Sequence, residues 1–120
     1  MHIIIKNRFL LYKDYKFKCS IGKSGIKKNK REGDNATPKG IFSLGKFYYR
    51  ADRIKKINTN LSCKKIKKDM GWCNDPKNIK YNKEVNRKKI KNSEKLFRKD
   101  YRYNAFVVIN YNFYILIRLF

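Results

Sequence analysis

Nucleophilic acyl transfer, disulfide exchange and metal binding depend most often on sulfur or imidazole. This 120-residue chain offers three cysteines, Cys19, Cys63 and Cys73, and one histidine, His2. A cysteine attacks as its thiolate, which needs nearby cations to lower its pKa and a base to take its proton. Cys73 is the best placed, because it lies in Gly71-Trp72-Cys73-Asn74-Asp75-Pro76, a polar segment among lysines. The base is missing, since His2 opens the first predicted strand. Cys73 is therefore expected to pack, or to line a cleft beside Trp72, rather than to attack.

Cys19 alternates with Phe17 and Ile21 and is expected to be a small core hydrophobe, while Cys63 stands in a Lys-rich stretch without an identifiable partner. Three cysteines leave one unpaired in any disulfide scheme. Their spacing contains neither a C-x-x-C pair nor a nearby histidine, which argues against structural zinc. No metal and no cofactor are expected.

The elements that would position these groups are mostly strands. His2 to Ile5, Phe9 to Tyr12 and Tyr15 to Ile21 are short apolar or alternating runs, joined by Lys6-Asn7-Arg8 and Lys13-Asp14. Period two with short polar links predicts a β-meander. Residues 22 to 40 hold four of the six glycines and read as a loop. Ile41 to Arg50 is rich in β-branched and aromatic residues and predicts one long strand, bulged at Gly45.

Residues 51 to 91, dense in Lys and Asn, read as an excursion over the surface anchored by Trp72. Ser93 to Arg98 suits a short helix, with Ser93 as N-cap, and Ala105 to Tyr111 a buried strand. The expectation is a single domain over residues 1–120, mainly β (a β-rich α+β fold), with one short helix near residues 93–98.

The formal charge of +23 would ordinarily place nucleic acid first among partners. Two observations weaken that inference. Lys, Asn and Ile, which AT-rich codons favour, number 24, 13 and 14, so the lysines reflect base composition as readily as function. Only 8 of the 32 basic residues are Arg, the side chain preferred for bidentate phosphate and base contacts. The N-terminus lacks the apolar stretch of about 7 to 15 residues of a secretory signal. The apolar end from Ala105 is broken by Asn110, Asn112 and Arg118 and falls short of the roughly 18 to 20 residues of a membrane span.

Order along the chain adds specificity. Gly33-Asp34-Asn35-Ala36-Thr37-Pro38-Lys39-Gly40-Ile41-Phe42 is followed by Tyr48-Tyr49-Arg50-Ala51-Asp52-Arg53, by Met70 to Pro76, by Tyr81-Asn82, by Glu94 to Asp100 and by Val107 to Asn112. This succession resembles the YkuD-like L,D-transpeptidase catalytic domain, from Phe9 to about Asn112. The resemblance implies a β-sandwich, bacterial origin and peptidoglycan cross-linking by a transferase. In that reaction a cysteine thiolate attacks the amide after the meso-diaminopimelyl residue of a stem peptide, and the acyl group passes to an amine on a second stem. The implied partners are stem peptides, and the family acts in the periplasm or cell wall.

In the family, the histidine and the nucleophilic cysteine follow the strand that here ends near Tyr111. This chain continues Phe113-Tyr114-Ile115-Leu116-Ile117-Arg118-Leu119-Phe120, without Gly, His or Cys. It reads as an incomplete domain, either interrupted or frameshifted near residue 112 or a fragment whose apolar tail substitutes for a missing strand, with no catalytic residue to assign and no activity expected. Arg50, Arg53, Trp72, Cys73 and Asp75 are the candidate substrate-binding residues. Trp72 reads equally as a stacking platform for a sugar or stem peptide and as a buried anchor. Asp34 and Thr37 are expected to bond the turn backbone. Two other readings stay open: a small basic module for nucleic acid or wall polymer, and a remnant without a stable fold.

Overall fold

The computed structural model describes residues 2–111, which fall into two compact units divided between Ile41 and Phe42. The first opens with β1 (Ile4–Lys6), β2 (Phe9–Tyr12) and β3 (Tyr15–Lys18). They form an antiparallel meander in which Lys6 faces Phe9 and Tyr12 faces Tyr15. Asn7 and Arg8 both take positive φ, at 50° and 63°, which matches the twist of a two-residue hairpin. The strand predicted to reach Ile21 stops at Lys18. Phe17 points outward, 55% exposed, and stacks on Tyr15 with ring centroids 6.0 Å apart. The expected inward alternation of Phe17 with Cys19 is thus replaced by a solvent-facing aromatic pair.

The Gly-rich loop is ordered by its own side chains. Asp34 accepts the amides of Arg31 (2.7 Å) and Ala36 (2.9 Å) and pairs with Lys30 at 3.0 Å. The Thr37 hydroxyl accepts the Gly22 amide at 2.8 Å. Asp34 takes the turn-bonding role expected of it, whereas Thr37 ties the turn to a backbone amide 15 residues earlier. They bring β4 (Ile26–Lys27) alongside β5 (Thr37–Pro38) in a short parallel pair. Gly22 lies so close beneath this turn that a Cβ there would stand 2.3 Å from the Asn35 carbonyl oxygen.

In the second unit, β6 (Leu44–Tyr49) is the centre of a three-stranded sheet. It pairs antiparallel with β11 (Ala105–Ile109) and parallel with β7 (Cys63–Lys65). The ladder shifts register between Val107 and Ile109, so Gly45 and Lys46 together oppose one residue and form the bulge expected at Gly45. A second sheet has β8 (Met70–Trp72) between β9 (Glu84–Asn86) and β10 (Glu94–Lys95), all antiparallel.

The two sheets contribute to one core of Tyr48, Ile66, Met70 and Leu96, flanked by Trp72, Phe97, Tyr103 and Phe106. Tyr48 stacks on Phe106 at 4.8 Å, and Trp72 meets both rings edge-on at 6.2 Å. Such offset and edge arrangements follow the ring quadrupole.

The protein is mainly β, with no helix among the described residues. The helix predicted over 93–98 is corrected: Glu94 and Lys95 pair with Trp72 and Gly71. The Ser93 hydroxyl donates to the Ile90 carbonyl instead of accepting amides as an N-cap. Six residues nucleate a helix poorly, whereas the edge of β8 supplies partners at once and Leu96 enters the core at 2% exposure. The stretch 51–91 is not wholly a surface excursion either, since it supplies β7, β8 and β9 and buries Ile66, Met70 and Val85. The tail 113–120, read as a possible frameshift, lies outside the described residues.

Candidate functional site

The segment after β8 is tied down by its backbone. Cys73 donates its amide to the Lys83 carbonyl (2.9 Å) and accepts the Asn82 amide (2.8 Å), closing a loop over residues 74–81. Asn82 sits at φ 57° and accepts the Trp72 indole N–H at 2.9 Å. Asp75 caps the turn inside the loop, accepting the Lys77 amide at 3.0 Å. Trp72, Cys73 and Asp75 thus share one ordered segment. Trp72 is half-buried, and Cys73 is wholly buried with a free thiol.

Beside them lies a charged network. Tyr48 donates to Glu84 at 2.8 Å, and Lys64 bonds the other carboxylate oxygen at 2.8 Å. Burial would raise the Glu84 pKa, but the bonds from Lys64 and Tyr48 outweigh it and hold the carboxyl below its ordinary value. The Tyr48 phenol moves the other way, raised by burial and by its bond to Glu84. Tyr103 repeats the pattern against Glu94, pushed up to about 12, mainly by burial.

Arg50 and Arg53 sit apart from that segment in their bonding. Arg50 is buried, holds Asp52 with two bonds of 2.8 and 2.7 Å and donates to the Arg98 carbonyl at 2.7 Å. Its guanidinium lies 3.6 Å from the Phe97 ring centroid. Arg53 bonds the carbonyls of Arg98, Lys99 and Asp100 and the side chain of Asn104. These two arginines clamp the loop that follows β10. With Arg98 and Phe97 they line an open cavity of about 280 Å³, completed by Lys68, Lys95 and Lys99.

The sequence brings Trp72, Cys73 and Asp75 together by adjacency and Arg50 with Arg53 by proximity along the chain. It gives no local signal for Glu84 and Glu94, whose tyrosine partners lie 36 and 9 residues away. The three lysines of the cavity were equally hidden, because two intervening strands separate Lys68 from Lys95.

Chemically, the described residues hold no group of three or more His, Cys, Asp and Glu side chains able to bind a metal ion. The Cys63 thiol donates to the Leu61 carbonyl at 3.3 Å. What the second unit offers is a fixed aromatic and polar loop, two tyrosine–carboxylate pairs and a cationic cavity. No helix among the described residues is long and apolar enough to cross a membrane.

No curated protein and no solved structure matches the chain. The family model of the L,D-transpeptidase catalytic domain does, over residues 2–116, a span that runs through both compact units. With nearly its whole length matched, the chain belongs to the YkuD family of L,D-transpeptidase catalytic domains.

Proposed function

We propose that residues 1–120 are a single L,D-transpeptidase domain that recognises peptidoglycan stem peptides but performs no acyl transfer with its own cysteines. The family function is cell-wall cross-linking by transferases, and the match over residues 2–116 carries the reading. The chemistry requires a thiolate within reach of a base and of a substrate amide. Cys73 is shut off from solvent, and Cys63 is bonded to a backbone carbonyl. Cys19 follows β3 and is half-buried.

Trp72 and Asp75 are the substrate-facing residues of choice, with Cys73 packing beneath them. Arg50 and Arg53, whose guanidinium donors are engaged within the fold, act by positioning the loop at residues 98–104. The direct test is incubation of the purified chain with tetrapeptide stems and an amine acceptor. No cross-linked product is expected, and a thiol-dependent product would overturn the inactive half of the reading. Retention of the chain on stem peptides, lost on Trp72→Ala, would support recognition.

The alternative is a basic module for nucleic acid or wall polymer, favoured by the +23 charge. It requires DNA affinity that falls steeply with salt. Binding that is absent at low salt removes it.

A further inference from the structure

The cavity lined by Arg50, Arg53, Arg98 and Phe97 lies outside the acyl-transfer reading. Its volume of about 280 Å³ equals roughly nine waters at about 30 Å³ each, room for linked tetrahedral anions. Six of its seven lining residues are cationic and none is acidic. The arginines form a fixed frame. The donors of Arg50 are engaged by Asp52 and the Arg98 carbonyl, and those of Arg53 hold the backbone of residues 98–100. Arg98 is paired with Asp100 at 2.7 Å.

The lysines differ. Among the described residues, Lys68, Lys95 and Lys99 form no salt bridge, and all three are exposed at the mouth. Lys95 is set by β10 and Lys99 by the Arg53 clamp, so two of the three are carried by pinned backbone. Like charges held together without counter-charge repel, and an anion shared among them relieves that repulsion.

We propose that this cavity binds a small multivalent oxyanion, held by the ammonium groups of Lys68, Lys95 and Lys99. Ammonium groups are compact, hydrated point charges without the planar fork of a guanidinium, so they select by total charge rather than by carboxylate geometry. A single exposed pair contributes little in water, and selectivity arises because several pairs act on one ligand. A monovalent acetate gains too little to be held. The chemistry is shared by oligophosphates and tricarboxylates.

Calorimetric titration of the whole chain with tripolyphosphate, citrate, sulfate and acetate tests this. Saturable one-to-one binding is expected for tripolyphosphate, and its strength relative to citrate separates the phosphate source from the carboxylate source. The variant Lys68→Ala/Lys95→Ala/Lys99→Ala is expected to lose about tenfold in affinity, while Lys55→Ala/Lys56→Ala/Lys77→Ala, with the same charge change, loses less than about twofold. Equal losses in both variants would mean that diffuse charge binds the anion, and would overturn the site. Absence of saturable binding to the unsubstituted chain would overturn it as well. Should the triple variant not fold, Lys95→Ala and Lys99→Ala singly are each expected to weaken binding by about twofold to threefold, with Lys77→Ala unchanged. Equality among these three would overturn the site too.

Discussion

The two compact units are held by different forces. Among the described residues, the first contributes one residue, Ala36, to the buried apolar set, while Phe47, Tyr48, Tyr49, Ile66, Met70, Cys73, Val85 and Leu96 all lie in the second. In the first unit, Ile3, Ile4, Tyr15 and Phe17 are each at least half exposed. Its conformation is set by hairpin residues at positive φ and by Asp34 and Thr37 bonding nearby amides. In the second, residues far apart in sequence meet around Tyr48. Local hydrogen bonding can dictate a path without burying much apolar surface, but it supplies little of the free energy that makes unfolding cooperative.

Replacement of Leu96 by Ala should give the largest effect, because it removes a side chain that is 2% exposed from the shared core. A loss of about 2 to 4 kcal/mol is expected from chemical denaturation, against less than about 0.5 kcal/mol for Phe17→Ala. Similar losses for the two would erase the contrast between the units. Gly22→Ala is next, since its Cβ would meet backbone at 2.3 Å. A cost of about 1 to 3 kcal/mol is expected, with faster amide exchange confined to residues 22–37. Faster exchange throughout the second unit would show that the units unfold together.

The smallest effect concerns acid. Asp34 is lowered from 3.8 to about 2, chiefly by the amides of Arg31 and Ala36, and Asp100 is lowered to about 2, chiefly by Arg98. Both folded-state pKa values lie below the unfolded one, so their stabilisation is present above about pH 4 and is lost as pH falls toward 2. Salt should raise the Asp100 pKa more than that of Asp34, because screening weakens a guanidinium partner more than backbone amides. Carboxyl titration by NMR at low and high salt checks this, and equal salt shifts would contradict the assigned causes.

These differences also explain what could be read from sequence. The meander was legible because short strand-forming runs and short polar links are local signals, and the Asp34 turn because its bonds span two to four residues, whereas the Thr37 bond to Gly22 spans 15. Strand β6 with its bulge was legible from Gly45 amid aromatic residues, although the strand begins at Leu44 rather than at Ile41, which is exposed. By contrast β7, β8 and β9 are three residues each, too short to display a period. Ser93 to Arg98 carried helix-end signals that the edge of β8 overrode. At the site, Trp72, Cys73 and Asp75 were visible as neighbours in sequence. The engagement of Arg50 with Phe97 and Arg98, and the meeting of Lys68 with Lys95 and Lys99, depend on packing between strands that had no local signature.

Trp72 has a practical consequence. It is the sole tryptophan, its ring meets Tyr48 and Phe106 edge-on, and its N–H reaches Asn82 at the base of the loop. Its fluorescence therefore senses two things at once: emission should shift to the red when the aromatic core opens, and its intensity should change when the loop alone lets go of the indole. One built-in chromophore can distinguish loss of the fold from release of the loop in the same sample.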